Sequence, residues 1–127
     1  MPEVLDLLRA EREKHLATHP NMPREVLLMD THTAHSFTYY MQIHPTSRKE
    51  NRTYFRKNFA VRRELGDMNR MVRRVRTSLR TATAPIWVVV SKGQFMGPVY
   101  DEARHRGRIL FERRFGDDHL VLRVAPL

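Results

Sequence analysis

Pro85-Ile-Trp-Val-Val-Val90 is apolar at every position. A strand with one face in water alternates polar and apolar residues, so an unbroken run of this length reads as a central strand covered on both faces. Any fold for this chain must therefore supply apolar cover above and below that strand. Part of the cover is legible just upstream. Met68, Met71, Val72, Val75 and Leu79 recur at helical spacing after Asp67, whose short carboxylate suits a helix N-cap, and Arg70, Arg73, Arg74, Arg76 and Arg80 fall on the opposite side of the same helix. The result is a helix with a buried stripe and a basic back.

The remaining segments give weaker signals. Residues 3–17 read as an amphipathic helix whose stripe of Val4, Leu7 and Leu8 is continued by Glu11 and His15, and Pro20 and Pro23 stop it. Val26 to Met29 reads as a compact buried strand. Phe37, Tyr39, Met41 and Ile43 alternate with Ser36, Thr38, Tyr40 and Gln42, the period-two pattern of a half-buried strand. A polar loop over His44 to Asn51 and a further alternation from Tyr54 to Val61 predict a hairpin. Gly93, Gly97 and Pro98 predict a loop from Ser91 to Pro98 with a helical turn over Val99 to His105, followed by a short last helix over Ile109 to Phe115 and a closing strand over His119 to Val124.

Charge narrows the partners. The 127 residues form one domain with a formal net charge of +9, and arginine supplies 19 of the 23 basic residues. That balance favours an acidic partner, whether RNA, an anionic lipid surface or an acidic protein face, and arginine's planar fork suits phosphate and carboxylate. Cysteine is absent, which removes disulfides, thiolate metal sites and a cysteine nucleophile, and permits a reducing compartment. The longest apolar runs fall far short of the roughly 20 residues of a spanning helix. Glu3, Asp6, Glu11 and Glu13 argue against a conventional presequence. The expected setting is intracellular, mitochondrial or cytoplasmic, and not secreted.

Catalytic and metal motifs find little support in the sequence. His32 and His35 in an extended segment would face opposite sides of it, a poor arrangement for one ion, and His15 and His19 could share a helical face, but Pro20 follows at once and no carboxylate pair joins them. Asp117, Asp118 and His119 are explained by turn chemistry. Gly93 and Gly97 lack the context of a phosphate-cradling loop, and no nucleophile elbow is present. The expectation is a non-enzyme with neither metal nor cofactor.

Several stretches, taken in order, are similar to one family. Leu110-Phe-Glu-Arg-Arg-Phe-Gly-Asp-Asp-His-Leu-Val-Leu-Arg-Val-Ala125, the passage His19 to Asp30 with its two prolines before an aliphatic run, Arg52-Thr-Tyr-Phe55, Gly66 to Arg76, and Ile86 to Val90 resemble the autophagy ubiquitin-like modifiers of the GABARAP type. The resemblance implies an α+β fold, a ubiquitin-like β-grasp spanning 23–127 with an N-terminal helical extension at 1–22 and long loops at 44–53 and 91–108. It also implies a peptide-binding mode in which a ligand strand adds beside the second strand and buries apolar side chains, for which Tyr54, Phe55, Met68 and Met71 are the matching positions. The family's final strand delivers a glycine for conjugation, where this sequence reads Val124-Ala125-Pro126-Leu127.

Three functions are compatible with these features. The first is a non-conjugated accessory subunit of a large intracellular assembly, docked to protein partners through Arg62, Arg63, Arg70, Arg73 and Arg74. The second is an autophagy-type modifier or adaptor for short peptide motifs. The third is a basic RNA-binding module, for which backbone phosphate contact requires only charge.

Overall fold

The computed structural model describes residues 2–43, 48–64, 66–91, 93–116 and 118–127. The element order is α1 (Pro2–Thr18), β1 (Glu25–Asp30), α2 (Thr31–Ile43), α3 (Arg48–Asn58), β2 (Phe59–Glu64), α4 (Met68–Thr81), β3 (Ile86–Ser91), α5 (Gly93–Arg106), β4 (Gly107–Phe115) and β5 (His119–Pro126). The five strands form one mixed sheet in the order β2-β1-β3-β5-β4. β1 runs parallel to both β2 and β3, while β5 is antiparallel to β3 and to β4.

β3 lies at the centre of this sheet with all six residues buried, as its unbroken apolar run requires. Its alternate side chains feed two cores. Ile86, Val88 and Val90 pack with Met71, Val75 and Leu79 of α4 and with Phe95, Met96 and Val99 of α5. Trp87 and Val89 pack on the other face with Val4, Leu5 and Leu8 of α1, Phe37 and Met41 of α2, and Phe55 of α3. The layering follows from crossover handedness. The steps from β1 to β2 and from β2 to β3 move in opposite directions along the sheet, so two right-handed crossovers place their helices on opposite faces.

The mixed α and β class and the N-terminal helix agree with the sequence, and so do the buried β1, the Asp67-capped α4, β3 and β5. Several local expectations are corrected. The alternation at 36–43 belongs to helix α2, because Ala34, Phe37 and Met41 also satisfy helical spacing and Asp30 caps the helix, accepting from the Thr33 N–H at 3.3 Å. Tyr54 to Asn58 lies in α3, where Phe55 is buried and Glu50, Arg56 and Lys57 match the helix dipole; β2 begins only at Phe59. In place of the expected hairpin, β1 and β2 therefore pair in parallel across two helices. Of the polar loop expected at 44–53, residues 44–47 lie outside the described residues and the rest is helical.

The loop expected over 91–108 is mostly α5, with Pro98 inside it. The short last helix is β4. A hairpin joins β4 to β5 through Gly116, whose φ of 58° is a left-handed conformation that glycine adopts without steric cost. At the other end of the hairpin, a Cβ on Gly107 would lie 2.6 Å from the Ala125 carbonyl oxygen, so the close approach of these strands also requires glycine.

Two buried carboxylates fasten the ends of β1. Asp30, at its carboxyl end, accepts from the Ser91 N–H and the Ser91 hydroxyl, both at 3.2 Å, which ties β1 to β3. This is the point where strand order reverses, the usual ligand crevice of an open α/β sheet, and here Asp30 and Ser91 hydrogen-bond across it. Glu25, at the amino end, is shared by Arg12 at 3.4 Å and Arg123 at 3.0 Å. Arg12 is 2 % exposed and also donates to Asn58 Oδ1 and to the Met22 carbonyl, so it joins α1, β1, α3 and the turn before β1. Removing the shared anion leaves both guanidiniums facing one another without a counter-charge. The Glu25→Ala variant should lose about 3–5 kcal/mol of stability, read as a lowered urea midpoint.

Candidate functional site

β2 is an edge strand only six residues long, with Arg62 and Arg63 exposed on it. Beside it, under α2 and α3, lies a cavity of about 450 Å³. Its apolar lining comes from Phe37 and Met41 of α2, Phe55 of α3, and Phe59 and Val61 at the start of β2. Three local patterns converge to build it. The helical stripe of α2 turns Phe37 and Met41 toward the sheet, the spacing of four between Phe55 and Phe59 stacks their rings at 5.3 Å, and Phe37 meets Phe55 edge-on at 5.5 Å.

The rim has a different character. Arg24 from the turn before β1, Arg52 and Arg56 from α3, and Arg62 and Arg63 from β2 all line the cavity, and all five are exposed. Among the described residues none of the five has a carboxylate within ion-pair distance. Their fixed contacts are to backbone carbonyls: Arg24 donates to the Arg56 carbonyl and Arg62 to that of Val61, both at 3.3 Å. Several arginines elsewhere are matched. Arg74 meets Glu64 at 3.2 Å, and Arg76 and Arg106 meet Glu102 at 2.6 and 3.4 Å. The hydrogen bond from Arg76 holds the Glu102 carboxyl below its ordinary range.

A second depression of about 490 Å³ adjoins the first through Arg24 and Arg62. It runs past Arg74 and the hydroxyl-bearing Thr77, Ser78 and Thr81 at the end of α4, toward the amino ends of β1 and β3. The basic strip thus continues from the cavity around the β2 edge to α4.

The structure groups the sequence-derived residues differently from expectation. Arg62 and Arg63 stand at the cavity, whereas Arg70, Arg73 and Arg74 lie exposed on α4. Of the four positions matched to a peptide pocket, only Phe55 lines the cavity. Met68 and Met71 pack against the core on the opposite face of the sheet. Tyr54 is spent on α1: its hydroxyl donates to Glu13 Oε1 at 2.7 Å, Arg9 lies 4.4 Å over its ring, and burial raises its pKa. Arg24, Arg52 and Arg56 are rim residues that the sequence reading passed over. The signal for two of them was a spacing of four around Phe55 on a helix read as a strand.

His32 and His35 are exposed on α2, three apart and on one side of the helix, but no group of three potential ligands forms among the described residues. Asp117 lies outside the described residues. His119 pairs with Ser91 across β3 and β5, and burial lowers its pKa.

Five unmatched cations around one cavity repel one another, and Arg52 and Arg56 do so at helical i,i+4 spacing, where like charges cost a few tenths of a kcal/mol. Arg56→Gln should therefore leave stability unchanged or raise it by about 0.2–0.5 kcal/mol in thermal or urea denaturation. A loss above about 1 kcal/mol would mark Arg56 as structural. No protein-family model matches the chain, and no curated protein is similar to it.

Proposed function

We propose that the protein is a non-catalytic interaction module that docks an acidic protein surface through the arginine face at the β2 edge, as an accessory subunit of a larger intracellular assembly. The observation that carries this reading is the gathering of Arg24, Arg52, Arg56, Arg62 and Arg63 at one end of the sheet without carboxylate partners among the described residues. Charge left uncompensated at one place costs stability in the free molecule and is recovered when an anionic surface covers it.

A protein partner is favoured over RNA because the aromatic rings at the site are buried floor, with Phe55 2 % and Phe59 1 % exposed, and offer no platform for base stacking. No helix among the described residues is long and apolar enough to cross a membrane. The reading rests on surface chemistry and does not require a ubiquitin-like grasp or conjugation; the parallel pairing of β1 and β2 gives such a kinship no support.

Binding of a fluorescent polyglutamate peptide to the wild type should weaken by about tenfold or more in Arg62→Gln/Arg63→Gln. It should change little in Arg113→Gln/Arg114→Gln, which neutralises two cations on β4 at the far edge of the sheet. Equal losses in the two variants, or tighter binding of an RNA oligonucleotide that neither variant changes, would contradict the proposal.

A further inference from the structure

β4 is the other edge strand of the sheet, nine residues long against six in β2, and it pairs on one side only, with β5. An unpaired edge presents a row of backbone donors and acceptors that a further strand satisfies. The two edges differ in what their side chains would do to such a strand. On β2, Arg62 and Arg63 are exposed and the neighbouring acid, Glu64, is engaged by Arg74, so a second β2 would meet like charge. On β4 an acid is unpaired: Glu112 is exposed and has no ion-pair partner among the described residues.

The register with β5 assigns the faces of β4. Glu112 and Arg114 lie opposite Leu122 and Leu120, on the side of the sheet covered by α4 and α5, and Arg114 Nη1 is 3.8 Å from Met96 Sδ of α5. Phe111, Arg113 and Phe115 lie opposite Arg123, Val121 and His119 on the other side, where Phe111 meets the Trp87 ring at 5.8 Å. The bulge between Ile109 and Phe111 limits the regular stretch to Phe111 through Phe115.

Two copies joined edge to edge in antiparallel fashion are related by a two-fold axis perpendicular to the sheet, so each residue faces one on the same side of the second copy. Centring the axis on Arg113 sets Glu112 against Arg114 of the second copy on one face and Phe111 against Phe115 of the second copy on the other, each twice. Centring it on Glu112 would oppose the two acids. We infer that the protein forms a homodimer through antiparallel pairing of β4 with β4 of a second copy, centred on Arg113. Arg113 then faces its own counterpart, the one like-charge pair in this register, but its guanidinium already lies 5.4 Å over the Phe115 ring, drawn along the strand away from the axis. Opposite charges and aromatic pairs directly across a ladder are favourable, so the four matched pairs outweigh the one mismatch. The short stretch makes the interface small and the dimer weak, with a Kd on the order of 100 µM. The inference goes beyond docking at the β2 edge and does not need it.

The test is sedimentation equilibrium of the intact protein from about 1 µM to about 1 mM. The mass should rise from 15.1 kDa toward twice that value. Glu112→Arg sets arginine against arginine and Arg114→Glu sets glutamate against glutamate. Each should weaken dimerisation by about tenfold or more, although the two change the net charge in opposite directions. Glu112→Arg/Arg114→Glu restores both pairs at the wild-type net charge and should return the Kd to within about threefold of the wild type. Because the chain has no cysteine, one introduced thiol reports the register. Arg113→Cys should give a disulfide-linked dimer under mild oxidation, whereas Arg108→Cys, on the far side of the bulge, should not.

A mass of 15.1 kDa at every concentration overturns the inference. So does a dimer indifferent to the single charge swaps, a double variant no tighter than the single ones, or cross-linking of Arg108→Cys as fast as that of Arg113→Cys. None of these results bears on polyglutamate binding at the β2 edge.

Discussion

The buried carboxylate of Glu25 is the contact on which most of the architecture depends. It sits where β1 begins, and the two arginines that share it come from the first helix and the last strand. Arg12 adds bonds to α3 and to the turn that leads into β1. One side chain thereby fixes the docking of α1, the position of α3 and the start of the most constrained parallel strand. Such a cluster is not a large net source of stability, because desolvating three charges offsets most of their attraction. Its effect is to exclude alternatives: any packing that displaces α1 or β5 leaves a buried ion alone. Arg123 also lies 5.9 Å over the Trp87 ring, which connects the cluster to the central strand.

This cluster has a consequence for the surface. Glu25 serves two cations, so the cluster keeps a positive surplus just inside the turn that carries Arg24. Nearby acids are already committed: Glu64 faces Arg74, and Glu13 accepts from Tyr54. Among the described residues, no carboxylate lies within ion-pair distance of the rim arginines. Fold stability and the surface field are linked through the placement of a few glutamates, and five arginines without carboxylate partners among the described residues gather where the sheet edge and the cavity coincide. At the usual ligand crevice of such a sheet, the carboxyl ends of β1 and β3, Asp30 and Ser91 are meanwhile hydrogen-bonded to one another.

How much of this was legible in the sequence depended on whether one periodicity dominated. The apolar run from Ile86 to Val90 in β3 and the one-sided stripe of α4 admit a single reading, and the structure bears both out. Segment 34–43 satisfies two periods at once: Phe37 and Met41 fit an alternating strand and a helical face equally, and only the capping role of Asp30 separates them. Reading it as a strand made α3 its hairpin partner, so one ambiguous segment turned a parallel crossover into a hairpin. In β4 the arginines at 113 and 114 broke the alternation on an exposed edge and made it resemble a helix. The candidate site was half legible: Arg62 and Arg63 stand out as a basic pair on a strand, but Arg24 and Arg56 become neighbours only after β1 and β2 pair in parallel.

The central claim is that the uncompensated positive charge of this protein is focused at the β2-edge cavity. Paramagnetic broadening of backbone amide signals by two matched nitroxides, one anionic and one cationic, maps local potential directly. The claim predicts that the ratio of anionic to cationic broadening is highest at residues 24, 52, 56 and 60–63. An even spread over the surface, or a maximum at the arginines of 104–108 or of 113–114, would contradict it.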